Sequence, residues 1–202
     1  MALTTVRSTG ISSLPAISGA NLTSLNASNI ASGTLSTSRY VQGGITVADM
    51  WDMTSGFAAS TGSANYLTSN WTRATTNGRG TLGTAMTESS GVFTFPSTGI
   101  YLVQFQMMTE ANQMAADVFM SFMAFTTDNS AYNFIARGRF GQTSEGNSGF
   151  RGKTIHAIVD VTDTSTHKVR FGYADASSNV YINGASSDNQ TAASFIRLGD
   201  TW

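Results

Sequence analysis

The chain has 202 residues, of which 11% are charged, with no cysteine and a formal net charge of −1. An average domain carries about 25% charged residues; here Ser, Thr, Asn and Gly supply the polarity. The absence of cysteine excludes a disulfide framework and thiolate metal sites. There is no basic run to mark nucleic acid or an anionic membrane as a partner, and no stretch approaches the ~20 apolar residues of a membrane span.

The first residues, Met1 to Ser8, lack a basic segment followed by an apolar one, so no signal peptide is expected and the product is expected to be assembled in a cytoplasm. Residues 1–39 contain no aromatic side chain and only two charges, Arg7 and Arg39, whereas every aromatic lies from Tyr40 onward. This step in composition divides the chain into a leader, 1–40, and a head, 41–202. Within the leader, Ile17, Leu22, Leu25, Ile30 and Leu35 recur mostly at five-residue spacing among small and hydroxylated residues. That spacing and the poor helix formers between argue against a helix, and a coiled coil would want flanking charges. One such strand cannot bury its aliphatics alone. Three copies wound about a common axis could, making an extended stalk; the alternative is a disordered Ser/Thr/Gly tail.

The head reads as strands. Ile45 to Trp51 and Val169 to Tyr173 alternate, as do Ile155 to Val161 less strictly; Gly99 to Met107 is amphipathic at its end. Asn77-Gly78, Asp128-Asn129, Asn147-Ser-Gly149 and Asn183-Gly184 punctuate them. About eight to ten short strands with such breaks predict an all-β sandwich or jelly roll. Val118 to Phe125 is apolar on both faces, so it needs a second dry surface. A neighbouring subunit is the expected supplier, a covering loop the alternative. The expected head core or subunit interface comprises Phe93, Phe95, Tyr101, Val103, Phe105, Met120, Phe122, Phe195, Leu198 and Trp202. The methionines at 107, 108, 114, 120 and 123 are expected to fill gaps in that core or at an axis.

Catalytic chemistry is hard to assemble from these residues. His156 and His167 read as structural, and no Gly-x-Ser-x-Gly elbow occurs. The acids are scattered, with no pair to single out for sugar-chain hydrolysis. Most stand beside Ser, Thr or Asn, where an Asx-turn is the ordinary explanation. Gly78-Arg79-Gly80 lacks the strand–helix setting and lysine of a phosphate loop and reads as a turn.

Val92-Phe-Thr-Phe95-Pro96-Ser-Thr-Gly99-Ile-Tyr101-Leu-Val-Gln-Phe105 resembles the signature of the C1q domain: an aromatic, a Pro-x-x-Gly turn, then Tyr and alternating bulky residues. Ala193 to Leu198 is similar to that family's closing strand, and the resemblance covers roughly residues 45–200. Leader and head together look like short fibre or appendage proteins encoded by phages of aquatic bacteria, in which a stretch similar to Leu22 to Leu35 precedes a C1q-like head. The resemblance implies a C1q/TNF-like jelly-roll sandwich in a homotrimer, with the chain termini together at its base and Trp202 where the stalk enters. No Gly-X-Y collagen run is present, which sets the chain apart from animal C1q proteins. Some C1q heads hold calcium through acidic and carbonyl oxygens; no clustered Asp-x-Asp occurs here, so no cofactor is expected.

The function implied is that of a virion structural appendage (short fibre, spike or knob), held to other virion proteins through residues 1–40. Its head would bind a host-surface glycan or decorate the particle. A capsid decoration protein without a receptor role, a polysaccharide hydrolase and a secreted adhesin are the alternatives. Forty extended residues reach only about 130 Å, which suits a stubby appendage. Binding is expected in the loops 126–134, 141–152 and 174–190, read as clustered at the outer end of the head.

Overall fold

The computed structural model describes residues 44–111, 117–142, 149–176 and 180–202. The leader, with Ile17, Leu22, Leu25, Ile30 and Leu35, and the boundary drawn at residue 40 lie outside these residues, as does Met114. The described part is all-β, with thirteen strands. In chain order they are β1 (Ala48–Met53), β2 (Ser55–Ala58), β3 (Asn65–Tyr66), β4 (Trp71–Arg73), β5 (Thr87–Ser89), β6 (Val92–Thr94), β7 (Gly99–Ala111), β8 (Asp117–Thr126), β9 (Asn133–Gln142), β10 (Gly149–Val161), β11 (Lys168–Ala174), β12 (Val180–Ala185) and β13 (Ala192–Gly199).

They form two antiparallel sheets. In the first, β10 pairs with one edge of β7 along its whole length, while β13 and β12 share the other edge end to end. β1 and β4 extend the sheet beyond β13, and β2 extends it beyond β12. The second sheet runs β5-β6-β11-β8-β9, with β3 also on β11. The orders β1-β13-β7-β10 and β6-β11-β8-β9 place sequence-distant strands side by side, the arrangement of a jelly roll.

The stretch 92–105 accounts for the central crossing between sheets. Ser90 and Gly91 both have positive φ, 51° and 76°, and connect β5 to β6 by a two-residue turn whose twist suits a hairpin. A side chain at Gly91 would place its Cβ 2.1 Å from the Leu67 carbonyl oxygen, so glycine is required there. After Phe95 the chain turns through Pro96 to Thr98 and enters β7 at Gly99. The Tyr101 hydroxyl donates to the Ser97 carbonyl at 3.0 Å and fastens this turn to the strand. Tyr101, Val103, Phe105 and Met107 then face the inter-sheet core, fully buried.

That core is dominated by aromatic rings. Phe171 of β11 stacks on Phe105 of β7 at 4.8 Å and contacts Phe93, Trp71 and Phe195 at 5.3, 5.9 and 6.0 Å. Phe93 receives Trp51 and Trp71 edge-on at 5.5 and 5.2 Å. Met107 and Met123 fill the remaining space beside them.

The two-faced strand finds both of its dry surfaces inside one chain, which corrects the expectation that a neighbouring subunit supplies the second. Phe119 and Met123 of β8 face the main core. Met120, Phe122 and Ala124 point the other way into a second cluster with Ala174, where Tyr66 of β3 and Tyr132 of the β8–β9 loop lie over them. Phe122 is fully buried there. Its ring lies against Gly172, where a Cβ would fall 2.3 Å from Phe122 Cζ; the glycine on the outer side of β11 makes room for the covering rings.

Candidate binding surfaces

The head has two poles. At one, Thr126 pairs with Lys168, Lys168 with Thr94, and Val161 with Gly99. The Arg197 amide donates to the Val47 carbonyl at 2.9 Å, so the beginning and end of the described head meet here. At the other pole, Ala111 pairs with both Gly149 and Val180, and Asp117 with Gln142. The three loops expected to share one end therefore do not. Residues 127–132 belong to the pole where the head begins and ends, and the ends of β9, β10, β11 and β12 that border 143–148 and 177–179 belong to the other. The cause is β9 itself: ten residues of antiparallel strand separate its two connections by roughly 33 Å.

Phe93, Phe95, Tyr101, Val103, Phe105 and Phe195 come together between the sheets, and Met120 and Phe122 lie in the second cluster. Leu198 and Trp202 join neither; within the head they are 47% and 89% exposed. Leu198 occupies an irregularity in the β13–β7 pairing, between Arg197 and Gly199.

The outer face of the first sheet is graded. Residues directly opposite one another share a face, so the registers set Ala48, Ile196, Leu102 and Ile158 in one row across β1, β13, β7 and β10. The row is apolar throughout, spans roughly 14 Å at ordinary strand spacing, and ends in Ile158, 58% exposed. The next row, Met50, Ser194, Gln104 and His156, is mixed, and the one after, Ala192, Gln106 and Thr154, is more polar. His156 is thus an exposed face residue. His167 is a buried turn residue, its ring nitrogens 3.3 Å from the Thr162 hydroxyl and 3.1 Å from the Thr166 hydroxyl.

The outer face of the second sheet carries rings and guanidinium groups. The Arg170 guanidinium carbon lies 3.8 Å from the centre of the Tyr66 ring and 5.4 Å from that of Tyr132. Tyr66 meets Phe122 edge-on at 5.4 Å, and Phe122 contacts Phe134 at 4.7 Å. Arg137 lies over Phe134, and Arg139 pairs with Asp175 at 3.2 Å. Burial raises the Tyr132 phenol above its ordinary value, against the pull of Arg170, so it remains a neutral hydroxyl. Beside Tyr66 and Arg170 opens a cleft of about 490 Å³, edged by Asn65, Thr68, Ser69 and Asn70 with Met53, Leu67 and Tyr173 as its apolar floor. The expected binding loop 126–134 holds Tyr132 and Phe134, but Tyr66, Arg170 and the cleft were not singled out from sequence. The available signal was Arg170 and Gly172 on the polar side of an otherwise bulky strand, a pattern that marks close approach by another element.

Four of the acids show two contrasting settings. Asp128 accepts from the Thr126 hydroxyl and closes an Asx-turn with Ala131 and Ser130, Asp163 closes one with Ser165, and these hydrogen bonds hold both carboxyls below their ordinary value. Asp49 and Asp52, which have no Ser, Thr or Asn beside them, are buried. Asp49 accepts from Trp51 Nε1, Arg73 Nε, the Thr81 hydroxyl and the Met50 and Met86 amides, all within 3.4 Å. Arg79 donates to Asp52 Oδ2 at 2.6 Å and also binds Asn189, Thr76 and Ser186, which pins residues 76–79 to 186–189. Among the described residues no three His, Asp or Glu side chains are grouped to hold a metal ion.

Asp52 Oδ1 has no hydrogen-bond partner, and burial raises this carboxyl above 3.8 despite Arg79. A folded value above the unfolded one adds stability below the unfolded value, and that contribution is lost as pH rises through the folded one. Asp52→Asn is therefore expected to flatten the fall in the urea midpoint as pH rises above about 4. An unchanged slope would assign that fall to other groups.

No protein-family model matches the chain, and no curated protein does. Solved structures do. Eiger TNF from S. frugiperda is similar with a TM-score of 0.55 at 13% identity, over 77% of this chain and 94% of that one. Murine APRIL at pH 5.0 is similar with a TM-score of 0.50 at 11% identity, over 75% of this chain and 98% of that one. At such identities the likeness concerns the fold, and the head is a TNF/C1q-like jelly roll.

Proposed function

We propose that this protein is a non-catalytic structural appendage of a virion, a homotrimer whose leader attaches it to the particle and whose heads bind a host-surface glycan. The observation that carries this reading is the row Ala48–Ile196–Leu102–Ile158 on the open face of the first sheet. Contiguous apolar area left on a sheet face marks an interaction surface, and a second and third copy of the same chain would cover it about a threefold axis. The row lies near the pole where residues 44–47 enter, so leaders of three heads joined this way would start side by side. Resemblance of 22–35, placed ahead of a C1q-like head, to phage appendage proteins supports the viral assignment. Three weak sites on one rigid trimer would give avidity without a deep pocket.

Ile158→Asp is expected to convert a trimer into a monomer in sedimentation velocity while leaving the near-ultraviolet circular dichroism intact, because the aromatic core lies on the other face of the sheet. A wild-type chain that sediments as a folded monomer in dilute solution would defeat the trimer. For the binding role, purified heads are expected to block phage adsorption to its host. Unhindered adsorption with even labelling of the capsid would instead assign a decoration role, and turnover of host polysaccharide an enzyme.

A further inference from the structure

We propose that the cleft beside Arg170 is a binding site for an acidic saccharide, one bearing a carboxylate or a sulfate. The inference rests on the reading of the head as a glycan-binding module and names the class of glycan and the place.

Arg170 is a cation whose charge no acid offsets. Among the described residues it makes no ion pair and no hydrogen bond; its Nε is shut away from solvent without an acceptor. Asp175, at the end of the same strand, pairs with Arg139 instead. Holding such a group half-buried costs free energy, and the faces of Tyr66 and Tyr132 offset only part of it. The stacking also fixes the guanidinium plane, so an arriving carboxylate or sulfate would meet a fork already oriented. Arg137 and Arg139 stand opposite Phe122 and Met120 in the β8–β9 register, on the same face as Arg170; Arg139 is offset by Asp175, so it is Arg137 that adds to the positive potential.

The rest of the cleft suits a sugar. Its rim offers the amides of Asn65 and Asn70 and the hydroxyls of Thr68 and Ser69, paired donors and acceptors of the kind that ring hydroxyls satisfy. Asn70 is held with φ at 65° while its carbonyl accepts from the Thr54 amide at 2.8 Å, which fixes the rim. A polynucleotide would want a longer basic track than one cleft and its two flanking arginines.

The test uses the full chain and three probes: trigalacturonate, its fully methyl-esterified form, and a sulfated carrageenan tetrasaccharide, each titrated by calorimetry. At least one charged probe is expected to bind, the ester about tenfold or more weaker than the free acid, and binding to weaken with salt. Arg170→Gln is expected to lower affinity for the charged probe about tenfold or more. Arg170→Lys should restore only part of it, since an ammonium cannot form the fork. Thr68→Glu, an exposed rim change away from the stacked rings, is expected to weaken charged probes alone, and it keeps the test sharp should Arg170→Gln unfold the face. Equal affinity for acid and ester, or charged probes that do not bind, would overturn the proposal, as would an affinity indifferent to both Arg170→Gln and Thr68→Glu. Should the charged probes fail to bind while wild-type heads still block adsorption, this assignment falls and the broader binding role stands.

Discussion

Phe171→Ala is expected to destabilise the head by roughly 3–5 kcal/mol, the range for removing a large buried aromatic side chain. Phe171 is fully buried and sits where both sheets meet, stacked on Phe105 and in contact with Phe93, Trp71 and Phe195. Those four rings come from β7, β6, β4 and β13, so no single element can move to refill the space. The loss combines transfer of the ring, the cavity left behind and the aromatic edge and stacking contacts. A urea titration followed by tryptophan fluorescence reads the effect directly, because Trp71 lies against the altered site. Phe171→Leu, which retains most of the volume, is expected to cost clearly less. Equal losses for the two would point away from a cavity as the cause.

Asp49→Ala is expected to cost a similar amount, roughly 3–5 kcal/mol, by a different route: removal of one buried charge partner strands the groups it served. Trp51 Nε1 and the Met86 amide would lose their acceptor in the interior, and Arg73 would lose its only carboxylate among the described residues. Each orphaned donor costs about 1–3 kcal/mol, less where water can reach it. Arg73 would not drift far, since its Nη2 still donates to the Met86 carbonyl at 2.6 Å and its guanidinium lies 4.6 Å from the Trp51 ring. Asp49→Asn keeps the shape and one acceptor, so about half the loss is expected. The readout is again the urea midpoint, together with amide exchange at Met86, which should become unprotected in the Ala variant before the sheets open.

These two residues also show what a linear reading captures. Phe171 was legible: Val169, Phe171 and Tyr173 alternate, and their side of β11 had to face a core. The turn at Pro96 to Gly99 and the strand behind it were legible for the same reason, since local steric rules fix them. Asp49 was not. An Asx-turn is settled within three residues, whereas the donors that Arg73, Thr81 and Met86 bring to Asp49 come from 24 to 37 positions away. Nothing in the period-two pattern of β1 tells a carboxylate meant for water from one meant for five donors.

The same distance problem explains strand β8. Its two apolar faces were plain in the sequence, and the demand for a second cover was sound. The supplier was misjudged because Tyr66 and Tyr132 stand in polar, turn-rich stretches that read as loops, and only the sheet order brings β3 and the β8–β9 loop over Phe122. The cleft beside Arg170 is a by-product of that cover and was illegible with it. The subunit contact we propose would then rest on the first sheet, where Gln104, Ser194 and His156 interrupt the apolar residues along β7, β13 and β10, so that no continuous hydrophobic run forms.

The position of β1 has a mechanical consequence. It is bonded along one edge to β13 and along the other to β4, and it runs from the entry pole toward the opposite one. A tug on the leader, resisted by something gripped at the far pole, would act along the strand axis and load the bonds of both edges in shear, all at once, instead of peeling them apart one by one. Asp49, near the start of β1 and joined to Arg73, Thr81 and Met86, would act as a rivet across that line of force.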